Sequence, residues 1–340
     1  MRQPTFFPNE ADLLQNGSAQ AALHERAATV TREVFGKLVF VRGVVEVSNF
    51  CRQNCAYCGM RRDNRGLTRY RAHVDQLASL LINHCPACIT DLNLQSGEDP
   101  VAVRELVLPL ISILRRERRF GISVCLGTLN NDLYNALLAA GASIYIMKFE
   151  CSNPVQYAQL AAPGALAERT KHIHQLAANG WSVSSGFIAG LPGESPQDLV
   201  ANLRFANSLP LAGCSVSPFI PGDSTPLASE APGSLNRTLN SIASLRLMHP
   251  EWVIPAVSAL NTWEGDGYRR GLRAGANLTT INLTPSHLRQ NYVIYKRDRF
   301  IMTEHKVLDA ISAEGLTPSR QSLADYFCVT RGESAALGTV

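Results

Sequence analysis

Three cysteines, Cys51, Cys55 and Cys58, follow one another in the pattern C-x3-C-x2-C, with the aromatic Tyr57 directly before the third. Thiolates are the usual ligands of iron–sulfur centres, and a single loop can turn all three sulfurs toward one small cluster. A mononuclear zinc site would instead take paired C-x2-C units with a fourth ligand close by, and nothing suitable follows Cys58. A cubane held by only three thiolates leaves one iron with an open position, where a cofactor or substrate can bind.

Such a loop needs a frame. From Arg42 onward, short β-branched runs alternate with longer stretches of helical periodicity, the pattern of repeated βα units and a parallel sheet. Strands are predicted at 39–47, 90–95, 122–126, 143–149, 182–189, 215–220, 253–260 and 278–283. Eight βα units predict a complete (β/α)8 TIM barrel of the α/β class over residues 39–300. An N-terminal helical extension (1–38) precedes it, and a C-terminal helical cap and tail (301–340) follows, with one helix after Met302 and then a small-residue end. Ser195-Pro196-Gln197-Asp198 offers a helix cap, a proline at the first helical position and an acid in the first turn, followed by the apolar stripe Leu199, Leu203 and Ala206. Gly121, Gly141, Gly180 and Gly275 each stand before a strand, where a helix-ending glycine belongs. Chemistry in such a barrel sits in the loops at the C-terminal ends of strands, and the cysteine triplet leaves the first strand.

The 340 residues are 46% hydrophobic and 18% charged, which is enough for a large core. Arg, Asn, Gly or Pro breaks every apolar run before the roughly 20 residues a membrane span needs. The N-terminus leads into polar residues without a secretory pattern, so a cytoplasmic protein is expected. A net charge of +4, dispersed along the chain, does not make a nucleic-acid surface. The basic run Arg115-Arg116-Glu117-Arg118-Arg119 closes a helical pattern, where cations favour the C-terminal dipole end. Nine cysteines without an export signal do not predict a disulfide framework. Cys85 and Cys88 form a C-x2-C pair at the end of the barrel away from its mouth. With Cys125, Cys214 and Cys328 they read as reduced structural thiols, whereas Cys151, next to Glu150, is expected to face substrate.

Residues 46–64 around the cysteine triplet resemble the radical S-adenosylmethionine (radical SAM) superfamily, in the branch that holds the [FeFe]-hydrogenase maturase HydE, methylornithine synthase (PylB) and biotin synthase. So do Leu94-Gln95-Ser96-Gly97-Glu98-Asp99-Pro100 and residues 190–193, 218–221 and 282–285. The resemblance implies one [4Fe-4S] cluster on Cys51, Cys55 and Cys58, whose free iron chelates the amino and carboxylate groups of S-adenosylmethionine beside Tyr57. It places Ser96, Gly97 and Glu98 at the methionine amino group, where a turn of small residues lets backbone approach an ammonium. It gives Glu150 a hydrogen bond to S-adenosylmethionine, and a charged residue ending an apolar strand fits core packing poorly. It pairs Arg169 with the cofactor carboxylate, a partner suited to an arginine fork, and lays Ile188 along the adenine. An electron from a donor such as flavodoxin or ferredoxin would then release a 5′-deoxyadenosyl radical onto a small, amino-acid-like substrate.

The substrate side of the resemblance falls on Lys148, Cys151, Ser217, Ser258, Tyr292 and Tyr295. Lys148 and Phe149 stand where HydE carries an arginine and a histidine, and the sixth strand lacks the arginine with which PylB grips a carboxylate. The segment 296–302 lacks the cysteines that hold a second cluster in some HydE sequences. Three functions are open: HydE-like radical chemistry, a PylB-like amino-acid carbon-skeleton mutase or lyase, and a non-catalytic iron–sulfur scaffold or carrier. A scaffold would not need Ser96, Glu98, Glu150 and Arg169 at separate strand exits. The expected partners are a small-molecule substrate and an electron donor, with no nucleic acid and no membrane.

Overall fold

The computed structural model describes residues 6–117, 120–263 and 265–330. Seven of the eight expected strands form: β1 (Leu38–Ser48), β2 (Asp91–Ser96), β3 (Gly121–Cys125), β4 (Ile144–Ile146), β5 (Ser182–Ala189), β6 (Gly213–Pro218) and β7 (Leu278–Asn282). They pair in the order β6-β5-β4-β3-β2-β1-β7, every neighbour parallel.

The remaining expected strand, 253–260, is not a ladder. Val253 and Pro255 make single parallel bridges to Gly213 and Leu278, and the chain then turns into the 3-10 helix Ser258–Thr262. Pro255 has no N–H to donate, which is why a regular strand cannot run through it. The segment still joins both edges of the sheet: Val253 N donates to Ala212 O at 3.2 Å, and Ala256 N to Leu278 O at 2.9 Å. The ring is thereby closed with eight positions. A two-residue strand, β8 (Thr317–Pro318), lies outside the ring against the start of β1.

TIM-barrel interiors are usually filled by bulky branched side chains. Here Asn93, Ser123, Ser184, Ser215 and Thr280 point inward around a hollow. The main apolar core lies instead between strands and helices, where Val45, Val47, Leu92 and Val124 meet Leu77, Leu110 and Leu137. At the N-terminal ends of the strands, Phe35, Phe40, Ile144, Val253, Leu278, Leu323 and Phe327 form an apolar floor.

The N-terminal extension consists of helices Glu10–Leu14 and Gly17–Phe35. It docks on helix Leu235–Met248 through Leu23 and Ala27 against Ala243 and Leu247. The Asn240 amide donates to Leu13 O at 3.1 Å and to Gln15 O at 3.0 Å.

Two helices, Glu304–Ala313 and Leu323–Thr330, follow Met302 where one was expected. The second is short, with little helical preference of its own, and tertiary contact holds it. Buried Asp91 accepts from Leu323 N at 2.8 Å and Ala324 N at 3.3 Å, a carboxylate at a helix N-terminus. A Cβ on Gly121 would sit 2.1 Å from Asp91 Oδ1, so this glycine makes room for that carboxylate instead of ending a helix. Gly141, Gly180 and Gly275 do take the left-handed conformation, and Ser195 caps its helix as expected, with Asp198 completing a capping box. Arg115 and Arg116 end their helix. Arg118, Arg119, the first five residues and the small-residue end after 330 lie outside the described residues. No helix among the described residues is long and apolar enough to cross a membrane.

Candidate active site

A cavity of about 390 Å³ runs down the barrel from the loop after β1 to Leu323 and Phe327 in the floor, and Cys51, Cys55, Tyr57 and Cys58 line its mouth. Polar side chains set the shape of this loop. Arg69 Nη1 donates to Asn49 O at 2.6 Å and Met60 O at 2.9 Å, and its Nη2 donates to Arg61 O at 2.7 Å. One guanidinium thus ties the residues before Cys51 to those after Cys58. Asp99 accepts from Ser48 Oγ at 2.8 Å and from Arg71 at 2.7 and 3.0 Å, while Arg71 covers the Phe50 ring at 4.1 Å.

Glu98 braces the other side. It accepts from Gln53 Nε2 at 2.6 Å, Arg52 Nε at 3.2 Å, Thr128 N at 2.8 Å and Arg169 Nη1 at 3.3 Å. Gly97 stands against the loop so closely that a Cβ would lie 2.3 Å from Phe50 O and 2.6 Å from Cys51 Cβ. Ser96 turns its hydroxyl onto Gly97 O at 2.6 Å.

Burial raises the proton affinity of all three thiols, that of Cys55 to about 12, so they are neutral until a metal takes the place of the protons. Among the described residues no three His, Cys, Asp or Glu side chains converge as ligands of one ion would. The three thiols open instead onto a shared hollow, which fits a cluster in which each thiolate holds a different iron.

Glu150 lies past the end of β4 with φ of 61°, a left-handed conformation that costs a residue with a Cβ about 1–3 kcal/mol. Neighbouring backbone holds it there: Glu150 N donates to Gly186 O at 3.1 Å, and Ile188 N donates to Glu150 O at 2.8 Å. Its Oε2 is 3.1 Å from Lys148 Nζ, without hydrogen-bond geometry. Arg169, buried at the start of helix Leu166–Ala178, donates to Lys148 O at 2.9 Å and Thr128 Oγ1 at 2.7 Å. Its Nη2 has no hydrogen bond among the described residues. Glu150, Arg169, Ser96, Gly97, Glu98 and Ile188 all line the cavity.

So do Lys148, Ser217, Ser258, Tyr292 and Tyr295. Tyr295 meets Ser258, and its hydroxyl is held protonated chiefly by burial. Cys151 is placed elsewhere: it is packed in the main core with its thiol 3.6 Å from Asn153 O, and it does not line the cavity. Lys148 and Glu150 line the cavity, whereas Phe149 and Cys151 pack in the main core, the left-handed turn at Glu150 setting Cys151 away from the hollow.

Alternation along β1 points to two cavity residues that the motifs alone did not mark, and a third comes from elsewhere. Arg42 and Glu46 share the inner face with Val44, and Arg299 reaches in from the segment after β7. Arg299 Nη2 pairs with Glu46 Oε2 at 2.6 Å. Arg42 donates from Nε to Thr280 Oγ1 at 3.1 Å and has no carboxylate within 4 Å among the described residues.

Residues 45–206 match the family model of the Radical SAM superfamily. Over 289 residues the chain is 33% identical to the [FeFe] hydrogenase maturase subunit HydE of Thermotoga maritima, spanning 84% of this chain and 82% of that protein. It is 26% identical over 324 residues to the 3-methylornithine synthase of Methanosarcina barkeri, covering 93% of this chain and 90% of that one. The crystal structure of methylornithine synthase (PylB) superposes with a TM-score of 0.84 at 25% identity, over 96% of this chain and 97% of that one.

Proposed function

The chain belongs to the radical SAM superfamily and is an enzyme whose cofactors are a [4Fe-4S] cluster and S-adenosylmethionine; we propose that it turns HydE-like radical chemistry on a small, amino-acid-like substrate bearing an anionic group. When bound, the two cofactors supply reductive cleavage of the sulfonium and, from it, a 5′-deoxyadenosyl radical. Cys51, Cys55 and Cys58 hold the cluster. Glu98 fixes the cysteine loop and Arg169 together, which leaves Arg169 Nη2 for the cofactor carboxylate. Glu150, held by backbone on both sides, receives a hydrogen bond from the cofactor, and Ile188 packs along its adenine beside Tyr57. A one-electron donor such as a flavodoxin or ferredoxin delivers the electron at the exposed side of the loop, in the cytoplasm.

The observation that carries the substrate reading is the charge of the cavity wall. Arg42, Lys148, Arg169 and Arg299 face Glu46, Glu98 and Glu150. Three ion pairs, Arg169–Glu98, Arg299–Glu46 and Lys148–Glu150, account for every carboxylate. Arg42 remains without an anion inside a low-dielectric hollow, where a substrate carboxylate would complete the pairing. Amino acids and a small iron–cysteine complex both carry such a group. A second reading, a carbon-skeleton mutase or lyase acting on an amino acid, is favoured by the likeness of nearly the whole chain to PylB.

Anaerobic reconstitution with iron and sulfide, reduction, and measurement of 5′-deoxyadenosine test the catalytic reading. Cleavage should rise with carboxylate-bearing candidates and not with their esters, and Arg42→Met should abolish that preference. A reconstituted protein that forms its cluster and never cleaves S-adenosylmethionine would be a scaffold.

A further inference from the structure

Arg69 belongs to no motif singled out in the sequence, yet its guanidinium sits at the neck of the cysteine loop. It donates to three carbonyls within 2.9 Å, those of Asn49, Met60 and Arg61, and reaches Asn64 O at 3.5 Å. All four partners are neutral, and no carboxylate lies within 4 Å of it among the described residues. Three other arginines of this region differ, while Arg61 donates to the neutral Asn54 Oδ1 at 2.9 Å and Arg65 is exposed. Arg52 pairs with Glu98, Arg62 with Asp63 and Arg71 with Asp99. Arg69 is therefore a fixed, half-buried positive charge without a counterion, and the field of Arg69 acts on both Cys51 and Cys58.

We propose that Arg69 is a positioning residue with two separable effects on the cluster: its fork closes the loop that holds the three thiolates, and its charge raises the cluster's reduction potential. A cluster on three thiolates is anionic and gains a further negative charge on reduction. A nearby uncompensated cation stabilises the reduced form more than the oxidised one, and net charge and hydrogen bonding around a cluster set its potential. The effect eases delivery of the electron that opens each turnover. It rests on the reading of Cys51, Cys55 and Cys58 as the cluster ligands.

The test uses the full chain, reconstituted anaerobically, with iron content and the midpoint potential followed by electron paramagnetic resonance in a dye-mediated titration. Arg69→Gln removes the charge and is expected to move the midpoint to a more negative value. Arg69→Lys keeps the charge, loses the fork, and is expected to hold the midpoint near wild type while lowering iron content. Arg65→Gln, an exposed arginine nearby, should change neither. A loaded Arg69→Gln protein with the wild-type midpoint overturns the proposal, as does an equal shift in Arg65→Gln. If Arg69→Gln assembles no cluster, Arg69→Lys decides: a wild-type midpoint in its loaded fraction supports the charge effect, and a shifted midpoint in that fraction refutes it. Failure of the wild-type chain itself to assemble a cluster would count against the cysteine assignment instead.

Discussion

Arg299 Nη2 lies 2.6 Å from Glu46 Oε2 with both side chains almost wholly buried, and this pair joins the segment after β7 to the inner face of β1. Asn282 Nδ2 adds a hydrogen bond to Glu46 Oε1 at 3.2 Å. Burial pushes the Glu46 carboxyl up, and Arg299 opposes that push. Removing one member leaves the other charged and alone, which costs about 3–5 kcal/mol. Arg299→Met is expected to lose that much in denaturant unfolding, and Glu46→Gln with Arg299→Met to regain a good part of it. Additive losses in the double variant would mean the two side chains are not coupled.

Gly97→Ala tests the contact between the second strand exit and the cysteine loop. Its Cβ would overlap Phe50 O and crowd Cys51 Cβ, both fixed by the backbone, so the loop must move. The variant should fold, since the clash lies outside the main core, but it should bind less iron after reconstitution. Full iron content with unchanged cofactor cleavage would show that the close approach is dispensable.

A pH dependence follows from Glu194, which accepts from Gly190 N and from Asn202 Nδ2. Desolvation raises its carboxyl from 4.5 to about 8. Between those values the folded chain holds a proton that the unfolded chain has released. Glu194 therefore contributes its full stability below about pH 4.5 and loses it as pH climbs through about 8, with a slope of up to about 1.4 kcal/mol per pH unit. Melting temperatures across this range should fall less steeply in Glu194→Gln than in wild type. Parallel curves would refute the assignment.

The cysteines divide by position, and substitution should divide them in the same way. Cys55→Ala is expected to abolish cluster assembly and cofactor cleavage. Cys151→Ala should retain both and lose about 1 kcal/mol of stability, as a buried thiol shortened in a packed core does. Cys85→Ala should leave cleavage intact. Equal loss of cleavage in Cys55→Ala and Cys151→Ala would place Cys151 in the site after all.

Local chemistry was readable from the chain where a residue type has few uses. The spacing of Cys51, Cys55 and Cys58 sets a loop of thiols by itself, and the capping residues around Ser195 announce a helix start without help from the fold. What the sequence left out depends on distant partners. The segment 253–256 reads as a strand by composition, but Pro255 and the early turn at Ser258 restrict it to single bridges. The helix Leu323–Thr330 depends on Asp91, more than 230 residues earlier. Cys151 follows Glu150 directly, yet the left-handed turn at Glu150, which no residue type announces, sets it in the core. Alternation along β1 by itself marks Arg42 and Glu46 as one face with Val44.

A barrel that turns Asn93, Ser123, Ser184, Ser215 and Thr280 inward, with its main apolar packing in the outer shell and the floor, keeps much of what it binds apart from what keeps it folded. Exchanging Ser184, a cavity-lining residue whose hydroxyl holds no hydrogen bond among the described residues, for another small residue removes little buried hydrocarbon. Such changes should be nearly silent in unfolding experiments while they redraw the shape and polarity of the chamber. Divergence in substrate can then accumulate on the lining without threatening the shell. That is one physical reason why a barrel of this kind can keep its architecture while its lining changes.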